Sequence, residues 1–541
     1  MGDDLVILGG AVRTNDPAIP RAGALAIAGD RIAWVGSDDD ARDRARAATE
    51  VIDAGGGTVL PGFVDAHNHV RLGANPGAVS LFGATSLGEI HARIADHLVA
   101  HPDVTWIEGE GWNYGAIPGG APTATMLEGV TGGRPAFLFS YDVHTVWLNR
   151  EAMRAFGIDG GTDRLPWGTV ERDRVTGEPT GYVHDFAVLG ISEDGQRALE
   201  AHVPGYGVDT RYARMVESLD MAARFGITTI VEPQNGLDDL ELFARARDGG
   251  DLRSRLVAAM LCLPGTTDER LDALGEARAR FDGDRLRVQA IKLYIDDVIE
   301  PHTAAMLAPY ANAPDTAGDT FWDPEAYAAF VVELERRGWQ VFTHATGDRG
   351  IRVALDAVAR AREVLGPAGA RHQVVHVECV HPDDVGRFGA LGVVACMQPR
   401  HCAPDIVEGW RANVGAARER YAWPFRSIEA AGGVLAFSSD WNVAEMDPMF
   451  WLYTAITRAA PDGTGAWNQD ETVDLAAALR ASTWGSAYSI GAEGERGTLT
   501  PGTAADVAVL SRDLGSTDDP REILDTHVTA TLVAGQVIHR A

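Results

Sequence analysis

The chain has 541 residues, with 47 Lys+Arg against 77 Asp+Glu, a formal charge of −30, and no basic run that could concentrate a patch for a polyanion. That charge speaks against nucleic acid as a partner. Apolar residues make up 45% and charged residues 23%, a globular balance that excludes disordered, collagen-like and coiled-coil chains and favours a soluble protein with a small-molecule partner.

In chain order, the opening MGDDLVILGGAVRTND carries no basic n-region, and no apolar run reaches the roughly 18 residues of a membrane span. A cytoplasmic location is expected, with no membrane partner. The segments DLVILGGAV, ALAIAGDRIAWVG and EVIDAGGGTVL alternate short apolar stretches with turn signals, and ADVAVLSRD and VTATLVAGQVIHRA repeat that texture at the other end. Each fragment is too small for its own core, so residues 1–58 and 490–541 are predicted to complete one small β-sandwich domain together.

Between them the texture becomes strand followed by helix. Eight strands are predicted: VLPGFVDAHNH (59–69), ITTIVE (227–232), RLVAAMLCL (255–263), LRVQAIKLYID (286–296), QVFTHA (340–345), QVVHVE (373–378), GVVACMQP (392–399) and GVLAFSSD (433–440). Several are almost continuously apolar, as parallel strands covered on both faces are. Helical patterns fill the gaps: Ile351, Leu355, Val358 and Leu365 mark one apolar face, and Gly338 stands where a helix C-terminal glycine is expected. The reading is an α/β fold, a (β/α)8 TIM barrel over 59–70 and 211–489. Residues 71–210 form a large insertion after barrel strand 1, with a helix at 86–100 and a hairpin in WGTVERDRVTGEPTGYVHD. An insertion there is expected to act as a lid over the active site and to shape substrate choice. Cys262, Cys379, Cys396 and Cys402 make no C-x-x-C pair and read as reduced, buried thiols.

The chemistry gathers at predicted strand ends. His67 and His69, two apart, point to the same side of an extended chain. His344 ends the fifth strand, His376 lies near the end of the sixth, and Asp440 ends the eighth, all at the face where barrel active sites are built. Singly, each histidine reads as a satisfied core residue; as a set, imidazoles with a carboxylate suit zinc or a similar divalent ion. Lys292 lies in the apolar run VQAIKLYID, where an unpaired ammonium is costly. It is either a structural ion pair or an amine that has taken up carbon dioxide as a carbamate, able to bridge two cations.

These residues also carry a resemblance. LPGFVDAHNH, IKLYID, FTHATGD, VVHVE, FSSD and GTLTPGTAADVAVL resemble the amidohydrolase superfamily over almost the whole chain. FSYDVHTVWLN, the TGEPTGYV hairpin, HTAAMLAPY, MQPRH and SSDWNV resemble the YtcJ-like branch of its amidohydrolase-3 group, which includes N-substituted formamide deformylases and is more distantly related to D-aminoacylases. The resemblance implies a binuclear centre of two divalent ions, zinc first, with His67 and His69 on the more buried ion and His344 and His376 on the more exposed one. It implies carbamylated Lys292 as the bridge and Asp440 as ligand and catalytic acid/base. Two departures stand out: Asp297 replaces a glycine common in the branch, and Asn113 an aspartate.

The function expected is hydrolysis of a linear amide, of N-formyl or N-acyl amine or amino-acid type, by a metal-bridging hydroxide. The same site could serve an ester, lactone, carbamate or cyclic amide; a deaminase would not need the lysine; a barrel without ions would be a binding scaffold. Candidate substrate contacts are His144, Trp112, Tyr114, His401 and Asp297, while Asp348 reads as a cap of the next helix. With no Lys/Arg cluster marking a phosphate site, a neutral or singly charged acyl amide is the default. A symmetric homodimer is the first expectation for assembly.

Overall fold

A computed structural model describes residues 3–45, 50–73, 75, 77–367, 369–516 and 519–541. Eight strands form one sheet in chain order: β1 (Phe63–Asp65), β2 (Ile227–Asn235), β3 (Arg255–Leu261), β4 (Leu286–Tyr294), β5 (Gln340–Ala345), β6 (Gln373–His376), β7 (Val394–Met397) and β8 (Val434–Phe437). The registered pairs are parallel. Beyond the ladder, Asp440 N–H donates to His67 O (2.9 Å) and His69 N–H to Trp441 O (2.6 Å), drawing β8 against β1 and closing the TIM barrel.

The predicted first strand divides at Gly62. Thr58–Pro61 pairs with Val507–Leu510 and Ala11–Arg13 in another sheet, and only Phe63–Asp65 enters the barrel. A Cβ at Gly62 would come within 2.1 Å of Thr228 Cγ2, so only glycine allows the chain to pass β2 this closely. His67 and His69 accordingly lie in a bend beyond β1, not on the strand itself.

The barrel interior is filled by small and branched side chains: Val64, Val231, Ala259, Ala290, Phe342, Val375, Cys396 and Ala436 belong to one buried cluster, as layered barrel cores require. Phe342 is the largest of these and 1% exposed. Phe342→Ala is therefore expected to cost about 3–5 kcal/mol, read as a clear fall in the thermal unfolding midpoint.

Connecting helices follow their sequence signals. Pro324–Arg336 begins with Asp323 accepting from Ala326 N–H and with proline in the first turn, and Gly338 takes φ +77° just after its end. In Asp348–Leu365, Ile351, Leu355 and Val358 are buried, whereas Leu365, the last residue of the helix, is 37% exposed. Asp348 does not cap this helix; it is the first helical residue, and its carboxylate accepts Leu307 N–H (2.7 Å).

The two chain ends form a sandwich. A four-stranded sheet (Leu5–Leu8, Ala24–Ala28, Arg31–Gly36, Glu50–Asp53) and a six-stranded sheet holding Thr58–Pro61, Val507–Leu510, Val528–Val533 and Gln536–Arg540 share one core of Leu5, Ile7, Leu25, Ile27, Val59, Val507, Val509 and Leu532. Gly535, at φ +72°, turns the last hairpin. Buried Arg255 at the start of β3 joins Asp506 through two hydrogen bonds (2.8 and 3.0 Å), tying barrel to sandwich.

The chain divides into two compact units, one of residues 1–70, 218–234 and 241–541 and a second of 71–217 and 235–240. The second unit contains a seven-stranded sheet, the helix Leu87–Ala100 with Ser86 capping its first turn, and the antiparallel pair Gly168–Arg172 and Pro179–His184. No helix among the described residues is long and apolar enough to cross a membrane.

Candidate metal centre

The C-terminal ends of β1, β5, β6 and β8 bring four ligand-type side chains toward Asp440. His67 Nε2 lies 3.4 Å and His69 Nε2 3.3 Å from Asp440 Oδ1, and His376 Nδ1 lies 3.6 Å from Oδ2. His344 stacks edge-on against His376 at 4.4 Å between centroids. Among the described residues, His67, His376 and Asp440 each offer a ligand atom within 4.8 Å of the others. His376 (φ +76°) and Asp440 (φ +56°) both adopt left-handed backbone, a costly conformation that concentrates at functional sites.

Several features fix these side chains. Asp65, at the end of β1, accepts from Asn68 Nδ2 (2.8 Å), Ser439 N–H (3.0 Å) and Ser439 Oγ (2.6 Å), tying the His67–His69 bend to the loop that bears Asp440. Burial pushes the Asp65 carboxyl up to about 6. His376 Nδ1 is hydrogen-bonded to Gln398 Oε1 (2.9 Å) at the end of β7. His344 Nε2 donates to Asp297 O (3.0 Å).

The protonation states suit a cation. Burial, reinforced by Lys292, holds His67 well below the usual histidine range, and burial with His344 does the same for His376. Burial alone would raise the Asp440 carboxyl, but the neighbouring His67, His69 and His376 outweigh it and keep the group well below the carboxylate range. His67 and His376 in the neutral form offer the ring lone pair that a metal site requires; in His69, burial is outweighed by Asp440 and Glu232, which raise it above the usual histidine value.

The spacing agrees. Two atoms bound at about 2.0–2.1 Å to one tetrahedral zinc lie about 3.3–3.4 Å apart, the separation of His67 and His69 from Asp440 Oδ1. Asp440 Oδ1 is buried without a hydrogen-bond partner, an orphaned acceptor that a bound cation accounts for. Lys292, fully buried on β4, has its ammonium pushed down to about 8 by burial, while the charges of Asp440 and Glu232 act against that fall. Its Nζ sits 4.7 Å from the Tyr294 ring centroid. Its charge acts to lower both His67 and His376.

The proposed substrate residues separate. His401, in the turn after β7, joins the cluster: its Nε2 is 3.6 Å from Asp440 Oδ2, its Nδ1 3.9 Å from Glu378 Oε1, and its ring lies parallel to His376 at 6.1 Å. Asp297 is close by, but its carboxylate accepts Thr303 Oγ1 (2.6 Å), and it is its backbone carbonyl that holds His344. Trp112, Tyr114 and His144 lie in the second unit, gathered near Asp142. Tyr114 OH donates to Asp142 Oδ2 (2.9 Å) and His144 N–H to Oδ1 (3.1 Å). Trp112 is fully buried in that unit's core, its indole N–H on Leu138 O (3.1 Å).

Sequence reasoning missed Asp65, Glu232, Glu378 and Gln398. Glu232 is wholly buried on β2, its Oε1 3.7 Å from His69 Nδ1. Glu378 accepts Trp410 Nε1–H (3.0 Å). The signal for each was a carboxylate or amide set within an otherwise apolar predicted strand.

The family model of Amidohydro_3, the amidohydrolase family, matches residues 50–539. The chain belongs to this family. This amidohydrolase is similar to the protein LONG AFTER FAR-RED 3 of Arabidopsis thaliana, 28% identical over 99% of this chain and 91% of that protein. It is also similar to the N-substituted formamide deformylase of Arthrobacter pascens, 27% identical over 94% of each. A crystal structure of an uncharacterized metal-dependent hydrolase from Pyrococcus furiosus shares the fold, with TM-score 0.71 and 24% identity over 96% of this chain and 99% of that one. Membership makes the chain a hydrolase of carbon–nitrogen bonds in a metal-dependent family.

Proposed function

We propose that this amidohydrolase cleaves a linear amide, of N-formyl or N-acyl amine type, on a centre of two divalent ions, zinc first. His67, His69, His344, His376, Asp440 and carbamylated Lys292 would hold them. The observation that carries the reading is the convergence of His67 and His69 on Asp440 Oδ1 at ligand spacing, with His376 beside Oδ2. Its support for the amide class is the likeness to the formamide deformylase over nearly the full length of both chains.

Bound cations would lower the pKa of water and polarise the scissile carbonyl. The protein's part is proton management and orientation. Asp440, ionised and anchored by its backbone N–H to His67 O, accepts the proton of the attacking water and returns it to the leaving nitrogen. His401, fixed beside Asp440 Oδ2, contacts the reacting group. The Asp297 carbonyl and Gln398 hold His344 and His376 in their rotamers.

The test is a hydrolysis screen of metal-replete protein against N-formyl amines, N-acyl amines and amino acids, esters, lactones, carbamates and cyclic amides. The highest kcat/KM is expected among the N-formyl and N-acyl compounds. Turnover confined to the other classes replaces the substrate assignment, and a purified chain that takes up no divalent ion removes the mechanism.

A further inference from the structure

We propose that Glu232 is the positioning residue of His69, its carboxylate facing the Nδ1–H of that ring so that Nε2 is presented to the ion beside Asp440. The inference rests on the metal-dependent reading above and concerns a residue that lies on a different strand from every proposed ligand.

A neutral imidazole has one N–H and one lone pair, and only the lone-pair nitrogen can bind a cation. For His69 the choice is set by geometry. Nε2 lies 3.3 Å from Asp440 Oδ1, a ligand-to-ligand spacing, while Nδ1 lies 3.7 Å from Glu232 Oε1. The proton therefore belongs on Nδ1. Two other histidines of the cluster follow the same plan with neutral acceptors: Gln398 Oε1 for His376 (2.9 Å) and the Asp297 carbonyl for His344 (3.0 Å). Glu232 differs in supplying a carboxyl group from a wholly buried position. A carboxylate behind a ligating imidazole fixes its tautomer and raises its basicity, strengthening the metal bond without occupying a coordination position. Position 232 belongs to β2, which hydrogen-bonds to β1, so the support for His69 is built into the barrel wall and not into a loop.

The experiment titrates chelator-stripped wild type, Glu232→Gln and Glu232→Leu with zinc, following bound metal and the tautomer of isotope-labelled His69. The leucine variant, close in volume and without an acceptor, is expected to weaken the affinity by about 10–100-fold with the number of ions at saturation unchanged. It is also expected to lose the Nδ1-protonated form as the sole tautomer. The glutamine variant, whose amide oxygen still accepts, falls between the two, and it carries the comparison if the leucine protein does not fold. Equal affinity in wild type and variants overturns the proposal, as does loss of one ion at saturation, which would make Glu232 a ligand. A wild-type chain that binds no zinc brings down the metal reading as well, whereas normal wild-type binding with unaltered variants removes only the role of Glu232.

Discussion

Asp440→Asn is expected to lower kcat by roughly a hundred- to ten-thousand-fold, the usual range for loss of a general acid/base, while the chain keeps its fold and binds metal. The substitution separates two duties. The amide has nearly the carboxylate's shape, and its oxygen can still face His67 and His69, each within 3.4 Å of Oδ1. Asparagine also tolerates the left-handed backbone that position 440 requires at φ +56°, so no new strain is introduced. What it lacks is a basic oxygen. In the wild type His67 and its neighbours hold the carboxyl ionised despite complete burial, which keeps it ready to receive a proton. Steady-state kinetics on an N-formyl or N-acyl substrate, with metal per chain measured on the same sample, check the prediction. An asparagine variant with wild-type turnover overturns the assignment of Asp440 as the acid/base.

The ligand set was legible because its members stand where apolar runs stop. QVFTHA and QVVH expose a single imidazole each at the end of a strand whose other residues must be buried, and FSSD ends in a carboxylate for the same reason. The sandwich was legible from two half-sheets that could not close alone. The division at Gly62 was not, because TVLP and FVD are both apolar and extended, and only the approach of Thr228 decides which sheet each joins. Asp65 and Gln398 were hidden by function of another kind: neither is among the proposed ligands, and both hold residues that are, through contacts between strands far apart in the chain. Trp112 and Tyr114 read as pocket residues because aromatic side chains beside glycines suit either a site or a core. In the folded chain Trp112 packs edge-on against Tyr114, Trp147 and Tyr182, an enclosure that no local pattern announces.

Lys292→Met is expected to move stability and function in opposite directions. The ammonium is fully buried, has no hydrogen-bond partner, and is pushed by burial from 10.5 to about 8. That displacement corresponds to roughly 3 kcal/mol of unfavourable burial, and a methionine of similar length removes the charge while filling the same space. The metal-free variant is therefore expected to unfold at a higher temperature than metal-free wild type. Because the folded-state value lies below the unfolded one, the penalty is complete below pH 8 and fades as pH rises toward 10.5, so the difference should shrink across that window. With metal the order changes. Ions that bind only the folded chain stabilise it by mass action, and on the proposed two-ion reading a chain without Lys292 is expected to hold fewer of them, to gain less on zinc addition, and to lose turnover by orders of magnitude. Calorimetry with and without zinc, paired with kinetics, reads all of these signs. A methionine variant that is less stable without metal, yet equal to wild type in metal content and rate, would make Lys292 a structural cation. The opposite pattern explains why the barrel tolerates a buried amine there: its cost to the metal-free fold is offset only when the centre is assembled.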